Sequence, residues 1–496
     1  MANICLVIPP SGFLLNDRVF PSLGILHVAA ALEKAGKGVH MLDLSGINNF
    51  VEVLSRYLDE NKDTSVFGFT AVTPQMPVAT QLAQALRSLR PKARIILGGP
   101  HPTLIVASLR YAQKYGKIGL RAEREYNALT AHFDVIVAGD GEEAIFVALD
   151  PNSPQLIDGD DRHSTLWQGA AKRAEHAFPA RGLIDLESYK YSIDGHPATS
   201  IISQLGCPFE CSFCGGRFSP MLRHIRTRPV EHIILEMEHI HSRWGHTGFM
   251  FYDDELNVNA KEMLQLMEGI FGLQKRLGVE FRLRGFIKAE LFTEEQARAM
   301  YRAGFRWILV GFESGSPRIL TNIKKRATRE DNTRCVEIAH KYGLKVKALM
   351  SIGHPGESQE TIQETRDWLM KTRSDDFDLT LITTYPGTPY YDLATPTEEE
   401  GVWVFVAPNG DKLFQREVNY AEVANYYKGV PGHYTSHVWS GHLSSEELVF
   451  ERDASEVYLR EKLGIPFNAG AAVIDYEHSM GMGGLNKYVL RSTSAQ

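Results

Sequence analysis

Short apolar runs rich in β-branched residues recur roughly every 30 residues in the first part of the chain, at 4–8, 39–44, 65–70, 94–98 and 134–138, with helical patterns between most of them. A strand that follows a helical crossover returns parallel to its predecessor, so this alternation builds βαβ units rather than hairpins. Five such units predict a doubly wound, mostly parallel sheet of the Rossmann or flavodoxin-like kind over residues 1–150.

The stretch 151–196 opens on Asp150-Pro151-Asn152-Ser153-Pro154, carries few periodic signals and reads as a linker. A second series then begins, with strand candidates at 200–205, 249–253, 281–286, 307–312, 345–352 and 378–383. Six βα units point to a partial (β/α)6 barrel of the TIM type over 197–390, whose active end is the carboxyl end of its strands. Beyond it, a hairpin at 402–414 around Asn409-Gly410 and a helix at 445–463 give a small mixed C-terminal cap, 391–496. The fold class is therefore α/β, and 496 residues suit several domains rather than one core.

A formal net charge of -7 gives no general field for a phosphate backbone, which argues against nucleic acid as a partner. The apolar run near the N-terminus is too short for a signal peptide or a membrane span, so no membrane partner is expected. Five cysteines, three of them clustered, suit a reducing compartment better than a disulfide framework, and the expected location is cytoplasmic. Cys5 and Cys335 lie in apolar patterns and read as core.

The clustered cysteines are Cys207, Cys211 and Cys214, spaced C-x3-C-x2-C directly after the first barrel strand. Three thiolates on one loop can bind three irons of a four-iron cluster and leave the fourth open to a ligand, whereas an electron carrier usually supplies four. The competing readings are a structural zinc site, which would want a further Cys or His, and chance clustering.

This motif, with the aromatic Phe213 before its third cysteine, resembles the radical S-adenosylmethionine (SAM) superfamily over roughly residues 195–390. The resemblance implies a 4Fe-4S cluster held by Cys207, Cys211 and Cys214, with SAM on the open iron and a 5′-deoxyadenosyl radical as product of its reductive cleavage. It places Phe213 near the adenine, and Gly215-Gly216 would let backbone approach. Gly311-Phe312-Glu313-Ser314 is similar to a family segment in which the carboxylate bonds the cosubstrate, making Gly311 and Glu313 candidates; a cap on the following helix is the alternative for Glu313. The segment starting at Ser351, through His354 and Glu357, and the segment Phe251-Tyr252-Asp253-Asp254-Glu255 also resemble parts around SAM. The latter departs from the common G-G-E form, so Asp253 and Asp254 are open between cosubstrate contact, solvated loop charges and substrate binding.

In the first domain the strand ends carry Thr70, Thr73 and Gln75, then Gly98-Gly99-Pro100-His101, then Gly139 and Glu142. Ligands of open α/β sheets bind beyond these ends, and glycines there admit a bulky group. Ahead of a radical SAM barrel, and with Pro21-Ser22-Leu23-Gly24, the arrangement resembles the cobalamin-binding domain of one subfamily. Residues 9–16 lack the D-x-H-x-x-G loop of histidine-ligating cobalamin proteins, and Asp161-Arg162-His163 lacks the glycine at the required offset and reads as surface. The lower face of cobalt is expected near Gln75 and Met76, with His101 a pocket wall.

The resemblance implies methylation of an unactivated carbon of a small-molecule, biosynthetic substrate, with methyl from one SAM passing through cobalamin and a second SAM giving the radical. An external reductant such as flavodoxin or ferredoxin is implied as partner. Oxidative cyclisation or ring rearrangement without methyl transfer remains open, as does radical chemistry beside a vestigial cobalamin domain; a non-catalytic iron–sulfur or cobalamin carrier is disfavoured by the three-cysteine site. In the tail, Tyr426, Tyr427, Tyr434, His437, Trp439 and His442 read as packing rather than as a substrate pocket.

Overall fold

The computed structural model describes residues 3–11, 17–116, 121–170, 172, 175–426 and 435–466. Its first sheet contains β1 (Asn3–Ile8), β2 (Val39–Asp43), β3 (Thr64–Thr70), β4 (Arg94–Gly98), β5 (Val135–Ala138) and β6 (Leu156–Asp158). The order is β2-β1-β3-β4-β5-β6 and every adjacent pair is parallel. Winding reverses between β1 and β3, so a crevice opens there beyond the strands' carboxyl ends. Alternate residues feed two cores, Cys5, Val7, Phe67 and Phe69 on one face and Ile4, Leu6, Val66 and Ile96 on the other. Burial on both faces is why these strands read as continuous apolar runs.

The stretch from 151, read as a linker, supplies that sixth strand and then β7 (Ser192–Ile193). A three-residue strand and a two-residue one carry too little periodicity to be visible.

The second sheet contains β7, β8 (His196–Ile201), β11 (Gly248–Phe251), β12 (Arg282–Ile287), β13 (Phe305–Glu313), β14 (Lys345–Ile352) and β15 (Asp376–Leu381); between β8 and β11, β9 (Gln204–Leu205) and β10 (Arg226–Thr227) form a separate pair. The order is β15-β14-β13-β12-β11-β8-β7, parallel from β8 onward, with β7 folded back antiparallel on β8. The first barrel strand ends at Ile201 instead of running to 205, because the Asp253 carboxylate takes the Ser203 and Gln204 amides out of the ladder. Helices cover the outer face, where Leu283, Val310, Phe312, Ala348 and Met350 join one large core.

The small antiparallel sheet β16 (Thr395–Pro396), β17 (Val402–Val406), β18 (Lys412–Arg416) and β19 (Val438–Ser440) follows, with the expected hairpin at its centre. The helix Ser445–Leu463 then covers the edge strand β15: Arg452 Nε donates to Leu379 O and Arg460 Nη2 to Phe377 O, each at 2.9 Å. Two arginines on one helix face thereby occupy carbonyls that an edge strand leaves unpaired. Tyr426 packs with Tyr391 and Tyr420, and Trp439 stacks on Phe414, while Tyr427 and Tyr434 lie outside the described residues. Among the described residues no helix is long and apolar enough to cross a membrane.

The carboxyl ends of the two sheets face one another. Buried Arg226 bonds Asp140 from the end of β5, and its Nη1 also donates to Gln168 O at 2.9 Å. Asp160, just past β6, accepts from Ser219 Oγ and Met221 N, each at 2.7 Å.

Candidate active site

The cysteine loop is tied down from both sides. Asp253 Oδ1 accepts from Ser203 N and Gln204 N at 2.6 Å, its Oδ2 accepts from Ser203 Oγ at 2.6 Å, and Asp254 Oδ2 accepts from Gly206 N at 2.6 Å. These two carboxylates therefore anchor the backbone that leads into Cys207. Farther along, Cys207 N donates to Leu222 O and Ser212 N to Ile323 O, each at 2.9 Å, and the Arg223 guanidinium donates to Pro208 O and Phe209 O.

All three thiols are free, and their surroundings raise the pKa of each. Burial pushes Cys207 up to about 11, with Glu255 and Asp254 adding to it. Burial also raises Cys211, against the pull of Lys325 and Lys288. Cys214 is accessible to solvent yet has protein atoms packed around it, and it is raised by desolvation and then by its two sister cysteines. Three mutually repelling thiolates want a positive centre among them, which an iron cluster provides.

Above this loop Glu313 ends β13 at a register shift, with φ 67. A positive φ at a non-glycine residue costs about 1–3 kcal/mol and persists where surrounding contacts fix it. Here Oε1 accepts from Lys325 Nζ at 3.1 Å and Oε2 from Ser351 Oγ at 2.9 Å. The carboxylate is thus engaged by these side chains rather than by amides of the helix Pro317–Asn322. A Cβ on Gly311 would stand 2.6 Å from Glu313 Oε1, so glycine leaves that carboxylate its room. Ser351 Oγ also meets His354 Nε2 at 2.9 Å, His354 Nδ1 meets Tyr390 Oη at 3.3 Å, and the Phe213 ring packs on His354 with centroids 5.3 Å apart. Burial, then Lys325, hold the His354 imidazole down at about 3, so it is neutral.

Sequence reasoning missed two lysines and a carboxylate. Lys288 follows β12, donating to Lys325 O at 3.2 Å and lying 3.0 Å from Glu290. A cation at the end of an apolar barrel strand was the signal available for it. Lys325 sits in Lys324-Lys325-Arg326, which reads as a solvated basic run, yet its side chain is buried. The role of Glu255 was hidden by the departure from the G-G-E form: burial raises its carboxyl to about 7 against both lysines, and Oε2 is buried without a hydrogen-bond partner.

In the first domain a cavity of about 320 Å³ opens at the crevice between β1 and β3. Thr70, Gln75, Gly98, Gly99, Pro100, Gly139 and Glu142 line it, with Ser22 and Gly24. Its depth is apolar, from Leu6, Ile25, Ile96 and Val137, and Leu205 and Leu222 of the second domain close its far side. Gly99 has φ 101, and a Cβ there would stand 2.6 Å from Thr70 Oγ1. At Gly139, φ 88, a Cβ would stand 2.6 Å from Asp160 N. Gln75 joins the loops after β1 and β3: Nε2 donates to Pro9 O at 3.0 Å and Ser11 Oγ at 2.9 Å, while Oε1 accepts from Val72 N at 3.1 Å. Thr73 and His101 are not on this wall but behind it, buried and 3.1 Å apart, with His101 lowered by burial to about 3. Asp161, Arg162 and His163 are exposed, and residues 12–16 lie outside the described residues.

Comparison with known proteins matches both halves. The radical SAM superfamily model matches residues 201–369, and the B12 binding domain model matches 17–126. An uncharacterized methyltransferase of Pyrococcus horikoshii is 26% identical over 411 residues, which span 79% of this chain and 83% of the relative. An anaerobic magnesium-protoporphyrin IX monomethyl ester cyclase of Cereibacter sphaeroides is 24% identical over 75% of this chain, which spans 60% of that relative's length. The structure of the radical SAM methyltransferase TsrM from Kitasatospora setae, with cobalamin and a 4Fe-4S cluster bound, shares the fold at a TM-score of 0.65 and 18% identity, covering 92% of this chain and 91% of that one. The cofactors that go with these two domains are a 4Fe-4S cluster with SAM, and cobalamin. With both domains in tandem on one chain, the protein belongs to the B12-binding radical SAM enzymes.

Proposed function

We propose that the protein is a cobalamin-dependent radical SAM methyltransferase that places the methyl group of SAM on an unactivated carbon of a small molecule. The observation that carries this reading is the shared wall. The cavity behind Gln75 and Gly99 is closed by Leu205 and Leu222, and Leu205 lies two residues before Cys207, so two cofactor sites meet across one apolar partition. The methyltransferase names of a curated relative and of a structural neighbour support the same reading.

When bound, the cluster with SAM supplies a carbon-centred radical and cobalamin supplies the methyl group. The chain holds and shields. Cys207, Cys211 and Cys214 would ligate three irons, and Asp253 and Asp254 fix their loop. Glu313 and Ser351 would accept and share protons of SAM's polar groups beside Phe213. Glu255, with an unpartnered oxygen, suits the amino group. Thr70, Gln75, Gly98, Gly99, Pro100, Gly139 and Glu142 would hold cobalamin, with Thr73 and His101 bracing that wall. Leu205 and Leu222 keep water from the partition, which a radical step requires. The cobalamin-binding unit, 1–150 together with β6, thus stacks on a barrel unit, 197–390, and the cap from 391 onward covers the edge of β15. Electrons would come from an external flavodoxin or ferredoxin in a reducing, cytoplasmic setting.

Similarity to the cyclase favours a second reading, oxidative cyclisation without methyl transfer. One assay separates the two. Reconstituted protein with cobalamin, reductant, SAM and candidate substrates is analysed anaerobically by mass spectrometry. Accumulation of both S-adenosylhomocysteine and 5′-deoxyadenosine with substrate supports methyl transfer; 5′-deoxyadenosine alone overturns it in favour of cyclisation or rearrangement.

A further inference from the structure

The concave face of the second sheet is not filled. On the central strands, residues facing the helices are buried, yet Phe286 of β12, Gly311 of β13, Leu349 of β14 and Thr380 of β15 are only partly so. Helices cover the outer face, so this exposure comes from a hollow inside the curl, below Glu313 and Ser351.

Aromatic rings wall that hollow. Tyr252, which follows β11, is 38% exposed, and its ring meets Phe286 at 6.0 Å edge-on and Phe20 at 5.2 Å. Phe20 comes from the first domain and packs edge-on to Tyr191 at 4.8 Å. It is held firmly: Asp17 accepts from Ser11 N at 2.8 Å and Gly46 N at 2.7 Å, while Arg18 Nε donates to Ser45 O at 2.9 Å and Nη1 to Ser188 Oγ at 2.6 Å. The floor is apolar, made by Val19, Met250 and Leu309. The charges at this depth are already paired: Lys347, level with Leu309, meets Asp376 at 2.9 Å and Asp378, level with Leu349, at 3.5 Å, and Arg284 Nη1 donates to Tyr191 Oη at 3.4 Å. A carboxylate or phosphate entering the hollow would lose water, find both cations already engaged and meet the Asp376 and Asp378 carboxylates, a cost of several kcal/mol. A flat ring would bury its area against three rings and gain the edge-to-face term as well.

We infer that the substrate enters this hollow by an uncharged aromatic ring, with the first domain's Phe20 forming part of the pocket together with Tyr252 and Phe286. The inference rests on the function proposed above, since it assigns the substrate class of that site. It makes the pocket a joint product of both domains, so substrate selection and cobalamin binding involve the same folded unit.

The test uses cofactor-loaded protein and two neutral probes of similar size, 2-naphthol and its fully saturated counterpart, titrated by calorimetry. Wild type is expected to prefer 2-naphthol by about tenfold. Phe20→Leu and Phe286→Leu keep apolar volume and should abolish the preference, while cobalamin and cluster absorbance stay at wild-type levels. Equal affinity for the two probes, no binding of either, or a preference that survives both substitutions overturns the inference. Failure of the protein to take up cobalamin or cluster would instead strike the proposed function, and is read from the same spectra before any probe is added.

Discussion

Glu313 and Ser351 end neighbouring parallel strands and meet side chain to side chain, Oε2 accepting from Oγ at 2.9 Å, while the other carboxylate oxygen takes the Lys325 ammonium. Glu313→Gln keeps the shape and removes the charge. A lost charge-assisted hydrogen bond is worth about 1.5–3 kcal/mol, so SAM affinity should fall by roughly ten- to a hundredfold with iron content unchanged. Calorimetric titration of the reconstituted protein with SAM measures this, and wild-type affinity in the variant would make Glu313 a purely structural residue.

Gly99→Ala tests the cradle in the first domain. The added Cβ meets Thr70 Oγ1 at 2.6 Å and the Ala71 amide nitrogen at 3.0 Å, on backbone at φ 101. Strain of this kind costs about 1–3 kcal/mol. A lower melting temperature is expected, together with less cobalamin retained after gel filtration at equal protein; unchanged retention would put the cofactor elsewhere.

Cys211→Ala should abolish cluster assembly and SAM cleavage while far-ultraviolet circular dichroism stays as in wild type. The loop remains anchored without that sulfur, through Asp253, Asp254 and the bond of Ser212 N to Ile323 O. An active variant would refute the ligand assignment.

These anchors also mark where sequence reasoning works and where it stops. Residues 94–98 and 345–352 were legible to the residue as β4 and β14, because a mostly buried parallel strand is dense in apolar side chains, here at 95–97 and 348–350. The cysteine loop was legible because its three cysteines fall within one short stretch, 207–214. Lys325 was not, since burial of a lysine depends on partners twelve or more positions away, here Glu313, and no local pattern reports that. Phe20 was invisible for a similar reason: its contacts Tyr191 and Tyr252 belong to other parts of the chain. His101 and Thr73 sit in segments that reach the cavity but turn away from it toward each other, because position at a strand end does not say which way a side chain points.

Glu236, on the helix Val230–Trp244, is fully buried between two guanidiniums, Arg181 Nη1 and Arg228 Nη2, each at 2.6 Å. Desolvation is the largest single influence and pushes the carboxyl up, but the two arginines together outweigh it and hold the group at about 2, against an ordinary 4.5. A carboxyl lowered by folding binds fewer protons in the native state than in the unfolded one. Its contribution, on the order of 3 kcal/mol, is therefore complete above about pH 4.5 and drains away as pH falls toward 2. Arg181 also donates to Ser200 O at 2.9 Å, so the pair fastens the 151–196 stretch to the first barrel strand, and its loss should loosen that junction. In Glu236→Gln the two arginines stay buried without their counter-charge, which costs about 3–5 kcal/mol at neutral pH. The variant should then show a shallower loss of stability between pH 5 and 3 than wild type in urea melts. Parallel profiles for the two proteins would mean that acid sensitivity comes from other carboxylates.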